Sequence, residues 1–247
     1  MADLSSDRLL GGRVLLAQPQ TGYRVAIDPV LLAAAAPVLA DEHVLDAGCG
    51  SGAAMLCLLA RVPACHALGL EAQAELAEIA RRNLAANGVS GRATVKLGDV
   101  VDLPASAGGA AFDVVISNPP FLPASAGTPS PRPQRQVAHV ESVHLAAWIG
   151  ACLRALRPGG WCVVIQRADR LTELCAALAP ACGDLSILPL WPKAEATVAR
   201  RVILRARKGA RGPTRLARGL VLHESDGRYT AAAEAVLRHG AAVEWPR

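Results

Sequence analysis

Val44-Leu45-Asp46-Ala47-Gly48-Cys49-Gly50-Ser51-Gly52 is an apolar run that delivers one acid and then breaks into alternating glycines. The run reads as a buried strand. Gly48, Gly50 and Gly52 allow a tight turn into the following helix and let backbone approach a ligand closely. Glu71 ends the next apolar run, nineteen residues beyond Gly52, where a carboxylate can accept both hydroxyls of a ribose.

Further strands are expected over 43–48, 66–71, 93–99, 112–118, 160–166 and 198–207, with alanine- and leucine-rich helical segments between them. Two of these helices end at expected stop signals, Gly88 and the pair Pro158-Gly159. Continuous apolar strands alternating with helices predict a parallel sheet covered on both faces. The expectation is a doubly wound α/β sheet, Rossmann-like, mostly parallel with an antiparallel carboxyl-terminal edge strand. Its ligand belongs at the carboxyl ends of the strands. The chain reads as one domain over 41–247, preceded by an extension over 1–40.

Two ligands compete for the glycine loop. Gly48, Gly50 and Ala53 satisfy the G-x-G-x-x-G/A pattern of nicotinamide dehydrogenases. Asp46, however, stands at the mouth of the strand, where a dinucleotide brings a pyrophosphate that a carboxylate repels. S-adenosyl-L-methionine instead brings an ammonium and a sulfonium, which a carboxylate favours. Asp99, in LGD at the end of the third strand, is placed to accept from an adenine amino group, with Val100 beside it. A lone acid after a strand is commonly a helix cap; three at successive strand ends argue for a ligand. The expected cofactor-binding set is Asp46, Gly48, Cys49, Gly50, Gly52, Glu71, Asp99, Val100 and Asn118.

Asn118-Pro119-Pro120-Phe121 follows the fourth strand. Asn-Pro pairs mark turns, but this tetrapeptide also suits a specific chemistry. An exocyclic amine or a carboxamide nitrogen is a poor nucleophile because its lone pair is delocalised. Two acceptors taking its two N–H bonds, the Asn118 side-chain oxygen and the Pro119 carbonyl, draw that nitrogen towards tetrahedral geometry. Consecutive prolines fix φ and hold the carbonyl in place. Phe121 would stack on a planar substrate.

The order VLDAGCGSG, Glu71, Asp99, NPPF resembles the class I amino-methyltransferases that act on adenine, guanine or glutamine nitrogen. More narrowly, the chain resembles the bacterial valine-tRNA adenine-N6 methyltransferases. QTGYRVAIDPVLLAA before the first strand, and ARRVILRARKGARGP with LVLHESDGRYT towards the carboxyl end, carry that closer likeness. The resemblance implies an adenine beside the anticodon as target, tRNA as partner, and a 1–40 segment closing over the cofactor site with Tyr23, Arg24 and Asp28 as candidates. A turn with Asp28 capping a helix is the plainer alternative for that segment.

Composition fits such a reading. Net charge is +5, and the basic residues crowd between Lys193 and Arg218, opposed only by Glu195. Charge runs are usually solvated faces, yet beside an amine-methylating site phosphate contact is the better account. Expected RNA contacts are Arg205, Arg207, Lys208 and Arg211, together with Arg132 and Arg135 in the proline- and serine-rich loop over 122–137. The target base would be splayed out of its stack. Seven cysteines, with no C-x-x-C pair and no accompanying histidine cluster, read as core thiols of a reducing compartment and not as a metal site. Without a signal peptide or a long apolar run, a cytoplasmic location is expected.

Glutamine-N5 protein methylation and guanine-N2 rRNA methylation are the nearest alternatives. The first goes with a separate helical domain before the core, for which forty residues are too few; the second often goes with a duplicated domain. From other classes come a NAD-dependent oxidoreductase and a non-catalytic RNA-binding relic, which has no need of NPPF.

Overall fold

The computed structural model describes residues 4–21, 25–103, 111–119 and 145–245. Five parallel strands form its centre: β3 (His43–Ala47), β4 (His66–Glu71), β5 (Ala93–Leu97), β6 (Phe112–Ser117) and β7 (Leu156–Arg167). They lie side by side in the order β5-β4-β3-β6-β7. The glycine-loop strand β3 is therefore flanked by β4 and by β6, and the order reverses beside it, as in a doubly wound sheet.

The anticipated antiparallel strand exists as β9 (Arg201–Lys208), but it is not at the edge. It is inserted between β7 and a twelve-residue strand, β8 (Cys182–Lys193), antiparallel to both. Sequence reading passed over β8 because Pro189 interrupts it, and proline cannot donate to a ladder. The outer side of β8 carries only two short strands, β10 (Arg215–Leu216) and β11 (Leu220–His223), and the break between them falls beside Pro189. There the Pro189 carbonyl lies so close to Gly219 that no Cβ would fit.

Helices cover both faces. α1 (Asp28–Ala35), α2 (Ala53–Arg61), α3 (Ala74–Ala86) and α6 (Ala231–Leu237) enclose one apolar cluster; α4 (Leu145–Ala155) and α5 (Leu171–Leu178) enclose the other. α1 is buried over Pro29–Ala35, so it belongs to the main core. Pro37 prevents its continuation. Its last carbonyls are taken up by tertiary partners: Ala33 by Arg61, Ala34 by Val243 N–H (2.9 Å), and Ala35 by Trp245 Nε1 (3.0 Å). The carboxyl-terminal tail thus caps a helix near the amino terminus.

The first residues pair as a hairpin, β1 (Leu4–Leu9) with β2 (Val14–Pro19). Two asparagines one turn apart, Asn83 on α3 and Asn87 at its C-cap, hold it. Asn83 accepts from Ala17 N–H (2.8 Å) and donates to the Ala17 carbonyl (2.8 Å); Asn87 accepts from Leu15 N–H (2.9 Å) and donates to the Leu15 carbonyl (2.7 Å). The two amides act as a short stretch of strand edge. Five cysteines are buried and Cys175 and Cys182 half-buried, all as free thiols. Among the described residues no helix is long and apolar enough to cross a membrane.

Candidate active site

The glycine loop leaves the carboxyl end of β3. Gly48 and Cys49 both donate their N–H to the Leu70 carbonyl on β4 at 2.9 Å, and Gly52 donates to the Cys49 carbonyl at 2.8 Å. Gly48, Gly50 and Gly52 all have positive φ, between 55° and 86°, where a side chain is strained. A Cβ on Gly48 would sit 2.8 Å from the Trp148 ring, whereas one on Gly50 would meet nothing within 4 Å. Packing demands the first glycine; the third residue of the loop faces open space, as a cradle for a ligand requires.

The two strand-end acids are buried and accept hydrogen bonds from backbone N–H groups. Asp46 is 2 % exposed and accepts from Met55 N–H at 3.1 Å. Glu71 is 6 % exposed, and its two oxygens accept from Gly50 N–H and Gln73 N–H, each at 2.9 Å. Burial pushes the Asp46 carboxyl up to about 7, against the Met55 hydrogen bond and aided by the negative charge of Glu71. Burial likewise raises Glu71, with Asp99 adding to it against three backbone N–H donors. Two carboxylates in this state suit a ligand that brings positive charge to one and hydroxyl donors to the other. Asp99 accepts from Val101 N–H at 2.9 Å; Val100 is buried. Cys49 is buried too, and its thiol packs where a Cβ on Gly69 would be.

Asn118 and Pro119 come directly after β6, whose Ser117 pairs with Ala47 of β3. The tetrapeptide therefore begins beside the start of the glycine loop. Ser117 Oγ donates to the Ala47 carbonyl (2.8 Å) and accepts from Trp148 Nε1 (2.9 Å), joining β3, β6 and α4. Asn118 Oδ1 is shielded from solvent. The Pro119 carbonyl accepts from Gln166 Nε2 at 3.3 Å. Gln166, Trp148, Ser117 and Asn83 were not singled out in the sequence. Gln166 did carry a signal, as the lone polar residue closing the apolar run WCVVIQ. Pro120, Phe121, Tyr23, Arg24, Arg132 and Arg135 lie outside the described residues.

The carboxyl-terminal cations lie towards the foot of the sheet. Arg207 pairs with Trp161, which pairs with Val114, four residues before Asn118. At the rise of a strand this is about 13 Å below the tetrapeptide, towards the amino ends of the parallel strands. Because β9 runs antiparallel, Arg205, Arg207 and Lys208 move progressively away from the site, and Arg211 follows beyond them. Arg205 lies over the rings of Trp161 and Trp245, at 5.1 and 4.3 Å from their centroids. Arg207 Nε donates to the Gly159 carbonyl (3.0 Å), and Lys208 Nζ caps the end of α4 through the Leu153 and Leu156 carbonyls, both at 2.6 Å. Asp28 is the first residue of α1 and pairs with Arg201 at 3.1 Å; the N-cap position is Ile27, which makes no side-chain cap.

A glycine cradle, ring-hydroxyl and cation acceptors at successive strand ends, and a strand order reversing beside β3 define a class I methyltransferase fold. The chain belongs to the methyltransferase-domain family, which it matches over residues 39–199, and to the group of proteins named tRNA1(Val) (adenine(37)-N6)-methyltransferase. It is 31 % identical to the protein of that name from Aeromonas hydrophila over 214 residues, covering 84 % of this chain and 85 % of that one. With the Porphyromonas gingivalis protein identity is 37 % over 163 residues, 63 % of this chain and 64 % of that protein's length. A crystal structure of a predicted O-methyltransferase from Agrobacterium tumefaciens superposes with TM-score 0.73 at 27 % identity, covering 88 % of this chain and 98 % of that one. S-adenosyl-L-methionine is the cofactor of this class. The residues here fit it: the buried carboxyls of Asp46 and Glu71 would suit its positive charge and its ribose hydroxyls, and a Cβ on Gly50 would meet nothing within 4 Å.

Proposed function

We propose that the chain transfers a methyl group to the exocyclic N6 of an adenine in tRNA. The observation that carries this reading is the placement of Asn118 and the Pro119 carbonyl at the end of β6, adjacent to β3 and its glycine loop. The bound cofactor supplies an electrophilic methyl on a sulfonium. Asn118 Oδ1 and the Pro119 carbonyl each accept one N–H of the adenine amine. Held by these two acceptors, the amine would direct its freed lone pair at the methyl that the cofactor would supply, whose bond to sulfur would break as the new carbon–nitrogen bond formed. The surplus proton leaves the nitrogen afterwards, so no strong base is needed. Positioning and exclusion of water are the protein's contribution.

Phe121 stacks on the base, and Arg132 and Arg135 contact phosphates as the loop after the tetrapeptide meets a looped RNA. Tyr23 and Arg24 close over the cofactor from the 1–40 segment. Support for this closure comes from Asn83, which donates both to Ala17 of the hairpin and to the Ser51 carbonyl (2.9 Å) inside the glycine loop. Of the basic tail, Arg211 is exposed and open to a polyanion, whereas Arg205, Arg207 and Lys208 make contacts within the fold.

The test is mass spectrometry of nucleosides and proteins after incubating unmodified tRNA with protein and labelled cofactor. Label in N6-methyladenosine supports the reading. Label in N2-methylguanosine or in protein glutamine overturns it.

A further inference from the structure

We propose that Gln166 is a positioning residue, one that fixes the Pro119 carbonyl as an acceptor for the substrate amine; this rests on the methyl-transfer reading above. Gln166 is fully buried near the end of β7, two residues beyond Val164, the ladder partner of Ser117, and is therefore level with Pro119, two residues beyond Ser117. Its carboxamide is oriented without ambiguity. Arg167 N–H is a donor and lies 2.8 Å from Gln166 Oε1, so the other end of the amide must be the NH2, which faces the Pro119 carbonyl at 3.3 Å.

Gln166 stands just before the short 3-10 turn that opens at Ala168, yet its amide bonds only to Arg167 N–H and the Pro119 carbonyl, and a buried amide spent in this way needs a reason. Proline at 119 removes a backbone N–H but leaves a carbonyl past the end of the β6 ladder, where an unpartnered oxygen would be costly. Gln166 takes one of its two lone pairs and leaves the second for a substrate N–H. A hydrogen bond already made to that oxygen also sets its direction before substrate arrives, which is the preorganisation a near-attack geometry requires.

Gln166→Glu separates positioning from packing. The glutamate keeps an acceptor for Arg167 N–H. When protonated it also keeps a donor for the Pro119 carbonyl; when ionised it presents a repelling oxygen there. The charged groups flanking it in register are Arg167, paired with Asp169, and Arg201, paired with Asp28, and guanidinium groups do not titrate between pH 6 and 9.

Turnover of Gln166→Glu and of wild type is measured from pH 6 to 9 at saturating cofactor, with S-adenosylhomocysteine binding and thermal melting followed alongside. The expected result is a kcat ratio, variant to wild type, that falls by about tenfold or more as pH rises, while cofactor product binding stays within about threefold of wild type. Gln166→Met, which keeps the length and removes the donor, should be slow at every pH. A flat ratio, a Gln166→Met protein with wild-type kcat, or a Gln166→Glu protein that fails to fold or bind cofactor product at both extremes would each overturn the proposal. Wild type is run on tRNA and on a glutamine-bearing peptide in parallel. Methylation of the peptide alone refutes the adenine reading, and the ratio is then read on that substrate.

Discussion

Trp148 occupies the space that a side chain on Gly48 would need, its ring carbon 2.8 Å from the position of that missing Cβ. The indole N–H also holds Ser117, which holds the Ala47 carbonyl. One residue of α4, on the opposite side of the sheet from α2, thereby sets the path of the loop that leads into α2. Gly48→Ala meets both this clash and a φ of 75°, so cofactor-product affinity measured by calorimetry should fall by about a hundredfold or more. Trp148→Phe keeps most of the packing but leaves Ser117 without its donor. It should lower stability by about 1 kcal/mol in denaturant titration, with a smaller loss of affinity.

Asp46 links cofactor binding to pH. Its folded carboxyl stands at about 7, above its unfolded value of 3.8. Between those values the folded chain holds a proton that the unfolded chain has released, so stability is fullest below the unfolded value and declines as pH rises to 7. A cationic ligand needs the ionised form, so its affinity should rise by up to about tenfold per pH unit below 7 and level off above. Calorimetry with S-adenosylmethionine from pH 5.5 to 8.5 reads this; affinity that weakens with rising pH would be the opposite sign.

Asp46→Asn should split stability from function. Removing the buried charge should raise the melting temperature of the ligand-free protein at pH 8, by an amount corresponding to about 1–3 kcal/mol. The same change should abolish detectable cofactor binding. A variant that melts lower than wild type at pH 8 would show that Asp46 is held by a partner that offsets its burial.

Asn83 ties the hairpin to both α3 and the glycine loop, at 2 % exposure. Asn83→Ala leaves the Ala17 N–H and carbonyl and the Ser51 carbonyl without their partner, a cost of about 2–4 kcal/mol. Limited proteolysis should cut the variant within β1 or β2 under conditions where wild type resists. Asn87→Ala, on the more exposed rung of the same pair, should have the milder effect.

Lys208→Met and Arg207→Met should lower melting temperature, because each removes caps on carbonyls at the foot of the sheet. Neither should change the slope of tRNA affinity against salt concentration. A slope shallower by about one on removing either charge would place phosphate at the foot of the sheet.

VLDAGCGSG, Glu71 and Asp99 could be read from sequence because they are local. An acid at the end of an apolar run, followed by glycines, needs no distant partner to define a strand, a turn and a helix start. The same holds for Asn118-Pro119, whose turn chemistry is written in four consecutive residues. The Asn83 and Asn87 pair, by contrast, is ordinary helix sequence until β2 is laid against it. Strand β8 was hidden because Pro189 is tolerable only where β10 and β11 leave a gap, and that gap lies some thirty residues further along the chain.

The basic tail shows where pattern reading stops. Sequence determines that Arg205 and Arg207 share a face of one strand and leads to an antiparallel strand; it does not determine where in the sheet that strand lies. β9 is antiparallel and lies inside β8, so each step from Arg201 to Lys208 carries charge away from Asn118. Gln166 reaches the Pro119 carbonyl for the converse reason: β7 runs parallel to β6 and ends at the same level. Local chemistry is fixed by neighbours along the chain. Which groups meet is fixed by strand order and direction, set by the burial of both sheet faces together.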